Sequence, residues 1–344
     1  MSPTVAAARE LWQPDPGWLN TASYGLPPRP AWDALQEVLA DWRRGRTSWE
    51  GWDVATGQAR SAFAQLIGVA VEDVSVGAAV SQVLAPVAAA LAPGSRVLLP
   101  DVEFTSAVYP WLARGDLDVR PVPVGRLAES VDAATDVVSF SLVQSADGTV
   151  VDYPAIVAAA RAHHALVVVD ASQACGWLPF DGSAADVVAV AAYKWLMSPR
   201  GTAFAYLDPA LRERMTPQAA GWYSAEDVPD SYYGPRMRLA ASARRFDISP
   251  AWFSWVGTAP ALAVVRRLGV AAIGEHNVRL ANRFLAGLGR PPGNSAIVTV
   301  DVPDARDRLA AAGVRAAVRA GRVRASFHVY TTEADVDMAL EALG

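Results

Sequence analysis

Lys194 is the only lysine in a chain of 344 residues that carries 30 basic side chains, so the other 29 are arginine (30 − 1). A guanidinium stays charged and cannot act as an amine nucleophile, whereas a buried lysine can lose its proton and condense with a carbonyl. A lysine kept where every other basic position is arginine points to an imine-forming amine. Asp170 closes the apolar run VVVD, and Lys194 follows the next such run, 24 positions later (194 − 170). In an open α/β sheet, ligands gather beyond the carboxyl ends of the strands, so these two side chains can face one crevice. A lysine imine with a carboxylate partner for a pyridinium nitrogen is the arrangement that pyridoxal 5'-phosphate (PLP) requires. The alternative that the two residues leave open is a structural Asp170–Lys194 ion pair.

Composition narrows the chemistry. The chain is 52% hydrophobic and 19% charged, which suits a folded core rather than disorder. A net charge of −5 without a basic run argues against a nucleic-acid partner. The one cysteine, Cys175, excludes an intramolecular disulfide and a cysteine-based metal site, and the four histidines include no helical pair at ligand spacing. No metal is expected. No apolar run reaches about 18 residues, and the first residues do not read as a secretory signal, so the expectation is a cytoplasmic protein with no membrane partner.

The elements that must position Lys194 and Asp170 can be read from the pattern. Residues 95–100, 118–124, 136–142, 165–170 and 186–191 are apolar, β-branched runs, separated by helix candidates such as 81–91 and 154–163. Continuous apolar strands alternating with helices read as a mostly parallel sheet covered on both faces. Residues 202–207 follow Lys194 so closely that they are expected to pair antiparallel. From about 216 to 257 the chain is rich in Pro, Gly, Tyr and Trp without a period, which reads as a long functional loop. Beyond 258 a long helix, a strand over 296–300, a helix over 305–313, a strand pair and a last helix from about Glu333 read as a small α+β domain.

The segments VVVDASQACG and DVVAVAAYKWLMSPRGTAFAYL resemble the class V aminotransferase family. This is a group of fold-type-I PLP enzymes that includes cysteine desulfurases and kynureninases. The resemblance runs from about Leu19 to the C-terminus. It implies an α/β fold-type-I PLP-dependent transferase fold. An N-terminal arm (1–30) would line the substrate mouth, a large domain (31–257) would bind PLP, and a small α+β domain (258–344) would complete the site.

Carried over residue by residue, the resemblance makes Lys194 the cofactor-bearing amine, Asp170 the partner of the pyridine nitrogen, and Gln173 and Gln144 neighbours of the phenolic oxygen. Phe104 would stack on the ring. The backbone amides of Ala78 and Ala79 would hold the phosphate, because the usual threonines of that loop are absent, with the hydroxyl of Tyr193 reaching the same group. Ser249 matches a Gly-Thr lent across a homodimer interface. Arg324, in RVRASFHVYTT, would clamp a substrate carboxylate, while Asn20, Ala22 and Ser23 line the mouth. Arg322, two residues earlier, is the competing arginine.

The expected function is that of a PLP-dependent enzyme acting on an amino acid or amine, with transamination as the leading reaction. Lyase chemistry, by C–S or kynureninase-like C–C cleavage, comes second; Phe104 and Tyr193 lean that way, although kynureninases have His where Gln173 stands. Epimerisation comes third. A catalytically silent binding protein on the same scaffold is the remote alternative. The mobile C-terminal cysteine that desulfurases need is missing, and Cys175 is expected to pack as a small hydrophobe.

Overall fold

A computed structural model of the chain describes residues 4–319 and 321–344. Seven strands form the central sheet: β1 (Val74–Gly77), β2 (Arg96–Pro100), β3 (Asp118–Val122), β4 (Val137–Ser141), β5 (Leu166–Asp170), β6 (Val187–Ala191) and β7 (Ala203–Leu207). They lie in the order β1-β7-β6-β5-β4-β2-β3. Only β7 runs against the rest, pairing antiparallel with β6 as expected and with β1 on its other side. The strands β1, β6, β5, β4 and β2 therefore all end on one edge.

Strand periodicity explains how the sheet is covered. Along β5 to β7, Val167, Val169, Val188, Val190, Phe204 and Tyr206 point to one face, and Val168, Val187 and a set of alanines to the other. On the first face Phe204 stacks on Phe63 at 4.5 Å between centroids and meets Trp255 edge-on at 5.2 Å. Phe63 and Trp255 come from the helices Trp49–Ile67 and Trp252–Leu268. On the second face Ala189, Ala191, Ala203 and Ala205 leave room for the helix Val80–Ala89 to lie close to the sheet.

A second sheet, β8-β10-β9, is built from β8 (Ile297–Val300), β9 (Ala317–Arg319) and β10 (Arg322–Ser326), all antiparallel. Helices Val270–Gly287, Ala305–Ala311 and Glu333–Leu343 cover it.

Two expectations about the chain after residue 216 change. The irregular stretch ends at 251, because a helix begins at Trp252, six residues earlier than the reading to 257 allowed. Its start has no side-chain cap, and its first turn is aromatic, so the usual signals of a helix N-terminus are missing. The long helix expected beyond 258 is two helices bent by 82° at Gly269, whose φ of +85° suits a glycine. The division at 257/258 falls inside the first of them.

Candidate active site

The strand ends assemble the site. Asp170 is the last residue of β5, and its register partners are Ser141 on β4 and Ala189 on β6. Lys194 sits in the turn after β6, and both side chains are buried. Asp170 accepts a hydrogen bond from the Ser172 N–H at 2.8 Å. Lys194 Nζ lies 5.5 Å from the ring centre of Phe104 and 5.7 Å from that of Tyr193. Burial lowers the Lys194 ammonium to about 8; Asp170 opposes that shift, while Arg324, Arg200 and Arg319 add to it. An amine of this kind is free to react at mildly alkaline pH, as a nucleophile for a carbonyl must be.

Phe104 follows β2 and is 45% exposed, an unusual place for a phenyl ring beside a buried amine. Gln144 follows β4 and is fully buried; its Nε2 donates to Glu103, while its Oε1 has no partner. Gln173 is turned toward the arm: its Nε2 donates to the Ala22 carbonyl at 3.0 Å, and its Oε1 accepts from the Trp195 indole at 2.8 Å.

Beyond β1, Ala78 and Ala79 are exposed at the start of the helix Val80–Ala89, where no side chain caps the first turn. The Ala78 N–H is already engaged by Gln82 Oε1 at 2.7 Å. The first N–H groups of a helix have no intrahelical acceptor, so those of Val80 and Ser81 join that of Ala79 as donors left over at this helix start. Tyr193 lies against Tyr24, 5.4 Å between centroids, and under the guanidinium of Arg200 at 4.8 Å. Ser249 is exposed before the helix Trp252–Leu268 and makes no hydrogen bond to these groups within the described residues.

The small sheet brings Arg324 to the same crevice. Strand alternation sends Val323 and Ala325 into the helices of that unit and Arg324 toward the arm. Its guanidinium donates to the Ser145 carbonyl and, at 3.0 Å, to Ser23 Oγ; Nε is buried without a partner. Burial, with Arg319 nearby, lowers it to about 10. Arg322, on the same face, is exposed at the strand's start. Asn20 presents a buried Oδ1 without a partner, and the arm is fixed by Ser326 N–H to the Leu19 carbonyl and by Gly25 N–H to the Tyr193 carbonyl. A Cβ on Gly25 would stand 1.9 Å from the Lys194 carbonyl oxygen, so only glycine lets the arm approach this turn.

Two side chains of the site were not legible beforehand. Glu103 has no motif of its own beyond preceding Phe104, and Arg200 was one arginine among 29. The residues that are together fit PLP. An exposed ring lies beside a buried, easily deprotonated lysine. A carboxylate closes the neighbouring strand, an uncapped helix start lies on the same edge, and three buried polar atoms lack partners. Fold and site together are those of a PLP-dependent enzyme of fold type I.

Comparison with known proteins agrees. The family model for aminotransferase class-V matches residues 50–314, and the chain belongs to that family. It is 27% identical to a Bacillus subtilis (strain 168) protein described as the uncharacterized aminotransferase YcbU, over 94% of this chain and 93% of the relative. It is 28% identical to a kynureninase of Deinococcus radiodurans, over 72% of this chain and 63% of the relative. Other relatives are named as cysteine desulfurases and an isopenicillin N epimerase. Among solved structures, a variant of C-DES with glycine covalently linked to its PLP cofactor shares the fold at a TM-score of 0.87 and 21% identity, covering 99% of both chains.

Proposed function

We propose that this enzyme transfers the amino group of an α-amino acid, with Lys194 holding the cofactor and moving the Cα proton. PLP, when bound, supplies an electron sink for the pair left when a bond to Cα breaks. Asp170 keeps the pyridine nitrogen protonated. Phe104 would cover the ring, and the N–H groups of Ala79, Val80 and Ser81 would receive the phosphate, with Tyr193 beside them. Gln144 would lie beside the phenolic oxygen, and Gln173, whose amide is held by Ala22 and Trp195, would flank it. Lys194, desolvated by its surroundings, accepts the Cα proton as a free amine and returns it as an ammonium.

The observation that carries an amino-acid substrate is Arg324. It is a buried guanidinium held by a carbonyl and two serine hydroxyls, with Nε left over and no carboxylate among its hydrogen-bond partners. A buried cation without a counter-charge is costly, and a substrate α-carboxylate relieves that cost through a bidentate contact. Asn20, Ala22 and Ser23 form the adjoining wall.

Lyase chemistry is the second reading, favoured by Phe104 with Tyr193 and by the similarity to a kynureninase. Persulfide chemistry on this chain is disfavoured, since Cys175 is buried and its thiol is pushed up to about 12 by burial. We further propose a cytoplasmic homodimer in which Ser249 serves the partner's phosphate site. In this reading an N-terminal arm, a large PLP domain and a small domain share the work. Product analysis decides the reaction: the holoenzyme is incubated with a panel of amino acids, with and without a keto acid. Transamination gives keto acid beyond one equivalent per site only when an acceptor is present. Product without an acceptor, accompanied by sulfide or a cleaved side chain, would move the assignment to a lyase.

A further inference from the structure

Glu103 has no place in the reading above, yet it is buried at the centre of the site. Its four partners are all neutral donors: the Phe104 N–H at 2.8 Å and the Ser141 hydroxyl on Oε1, the Ser141 N–H at 2.7 Å and Gln144 Nε2 at 3.1 Å on Oε2. Three of the four have no lone pair to accept with, so the carboxylate is the acceptor at each. Burial pushes its carboxyl up; the hydrogen bonds from Ser141 oppose that shift, and the charge of Asp170 adds to it. Burying a carboxylate among neutral partners is costly, and an apolar side chain would fill this place at less cost unless the acceptor is used.

Gln144 shows the use. One N–H of its amide rests on Glu103, and Nε2 also lies 3.4 Å from the Ser141 carbonyl. Turned round, the amide would set its oxygen against a carboxylate and a carbonyl, acceptor on acceptor. The orientation is thus fixed by its neighbours, and the atom left without a partner is Oε1. A carboxamide can offer either a donor or an acceptor; with Glu103 behind it, Gln144 has only the acceptor to offer.

We propose that Glu103 is a positioning residue that locks the Gln144 carboxamide with its nitrogen engaged and its oxygen free, so that the phenolic oxygen of PLP would meet an acceptor rather than a donor. The inference rests on the PLP reading, with Gln144 beside that oxygen. An acceptor there favours bound cofactor carrying a proton on the phenolic oxygen, and a donor favours the phenolate. The first absorbs in the near ultraviolet and the second in the visible, so the ratio of the two bands reports which way the amide faces.

Glu103→Ala leaves a polar space in which a water can serve Phe104 and Ser141. Since water donates as well as accepts, the amide is no longer locked. In the holoenzyme the visible-to-near-ultraviolet ratio should rise about threefold or more, the scale of one ordinary hydrogen bond. Gln144→Met removes the acceptor without touching Glu103 and should raise the ratio in the same direction. With Gln144→Met already in place, Glu103→Ala should add nothing. A lower Tm with an unchanged ratio in both single variants would make Glu103 a packing carboxylate and overturn the proposal, as would a further shift in the double variant. If Glu103→Ala does not fold, Glu103→Gln decides in its place: its amide can donate to the Gln144 oxygen as well as accept, which undoes the lock, and a ratio that stays put overturns the role. Cofactor counted after alkaline release separates this outcome from failure of the PLP reading. A wild-type chain that binds none overturns that reading, whereas full occupancy with unmoved bands overturns only the role of Glu103.

Discussion

At the scale of single residues, one lysine makes the cofactor link unusually easy to test. Borohydride reduction of the holoenzyme should fix the label on Lys194, and Lys194→Arg should keep the fold while losing the visible chromophore, since a guanidinium cannot replace the amine. Label recovered only on the N-terminal amine would exclude Lys194. The lowered pKa adds a pH dependence whose sign is fixed. With the ammonium at about 8, the reactive amine is scarce below that pH and dominant above it. Uptake of PLP by the apo-protein should accelerate as pH rises toward about 8 and then level off, rather than climbing toward the 10.5 of an ordinary lysine. Stopped-flow absorbance across pH would check this. Arg324→Ala should lower kcat/KM for amino acids by about 10- to 100-fold, the loss of one charge-assisted bidentate contact, with cofactor content unchanged. Arg322→Ala should cost far less, because that side chain is exposed. The reverse order would mean that the wrong arginine of the pair has been assigned. Lys194, Asp170 and Arg324 were readable because each stands in a dense local pattern. Glu103 was not, since its meaning lies in partners 38 and 41 residues away.

At the scale of elements, the strands were the most legible part of the chain. Runs such as VVVD and DVVAVA are apolar throughout because both faces are covered, and the observed β5 and β6 sit within a residue of the expected bounds. Position 252 was hidden because its helix starts on aromatic residues that pack against neighbours distant in sequence; Trp252 lies 5.6 Å from Trp49. The same region contains a contact that no local pattern announces. Asp247, fully buried, accepts from Arg60 at 2.6 Å and from the Val76 N–H at 2.8 Å, and Arg60 also donates to the Val74 carbonyl. Helix Trp49–Ile67, the loop before 252 and β1 are thereby joined just ahead of the turn at Ala78 and Ala79 that is proposed to receive the phosphate. Asp247→Ala strands a buried guanidinium and should cost about 3–5 kcal/mol. Urea denaturation would measure that, and a loss below about 1 kcal/mol would show the pair to be dispensable. Gly25→Ala belongs to the same scale. Its Cβ cannot coexist with the Lys194 carbonyl, so the arm must back away. Activity should fall at least tenfold while the Tm moves only a few degrees, because only the arm has to shift and the central sheet keeps its packing.

The whole molecule was legible as a class and much less as an assembly. Alternating strands and helices, then a small α+β unit, describe one chain; they do not say which surfaces meet another. Phe104, Tyr109 and Leu112 lie exposed at the start of and along the helix Thr105–Leu112, and Tyr232, Tyr233 and Met237 along the loop that leads to Ser249. Light scattering should report twice the mass of 36.4 kDa if the dimer proposed above forms.

The arm has a consequence for the order in which this protein is made. Leu19 and Ser326 are 307 positions apart, yet the carbonyl of one receives the N–H and hydroxyl of the other, and Arg315 is tied in beside them, its N–H donating to the Gly17 carbonyl and its carbonyl accepting from the Leu19 N–H. On a ribosome, where N-terminal parts emerge and fold first, the arm can meet Gln173 and Tyr193 of the large domain early, but its partners around Arg315 and Ser326 are absent until the far end of the chain has left the exit tunnel. The large sheet can form without it, and the crevice stays open on that side meanwhile. Residues near the start of synthesis are therefore among the last to take their places, and a nascent chain halted before β10 should leave its first segment open to protease however complete the central sheet has become.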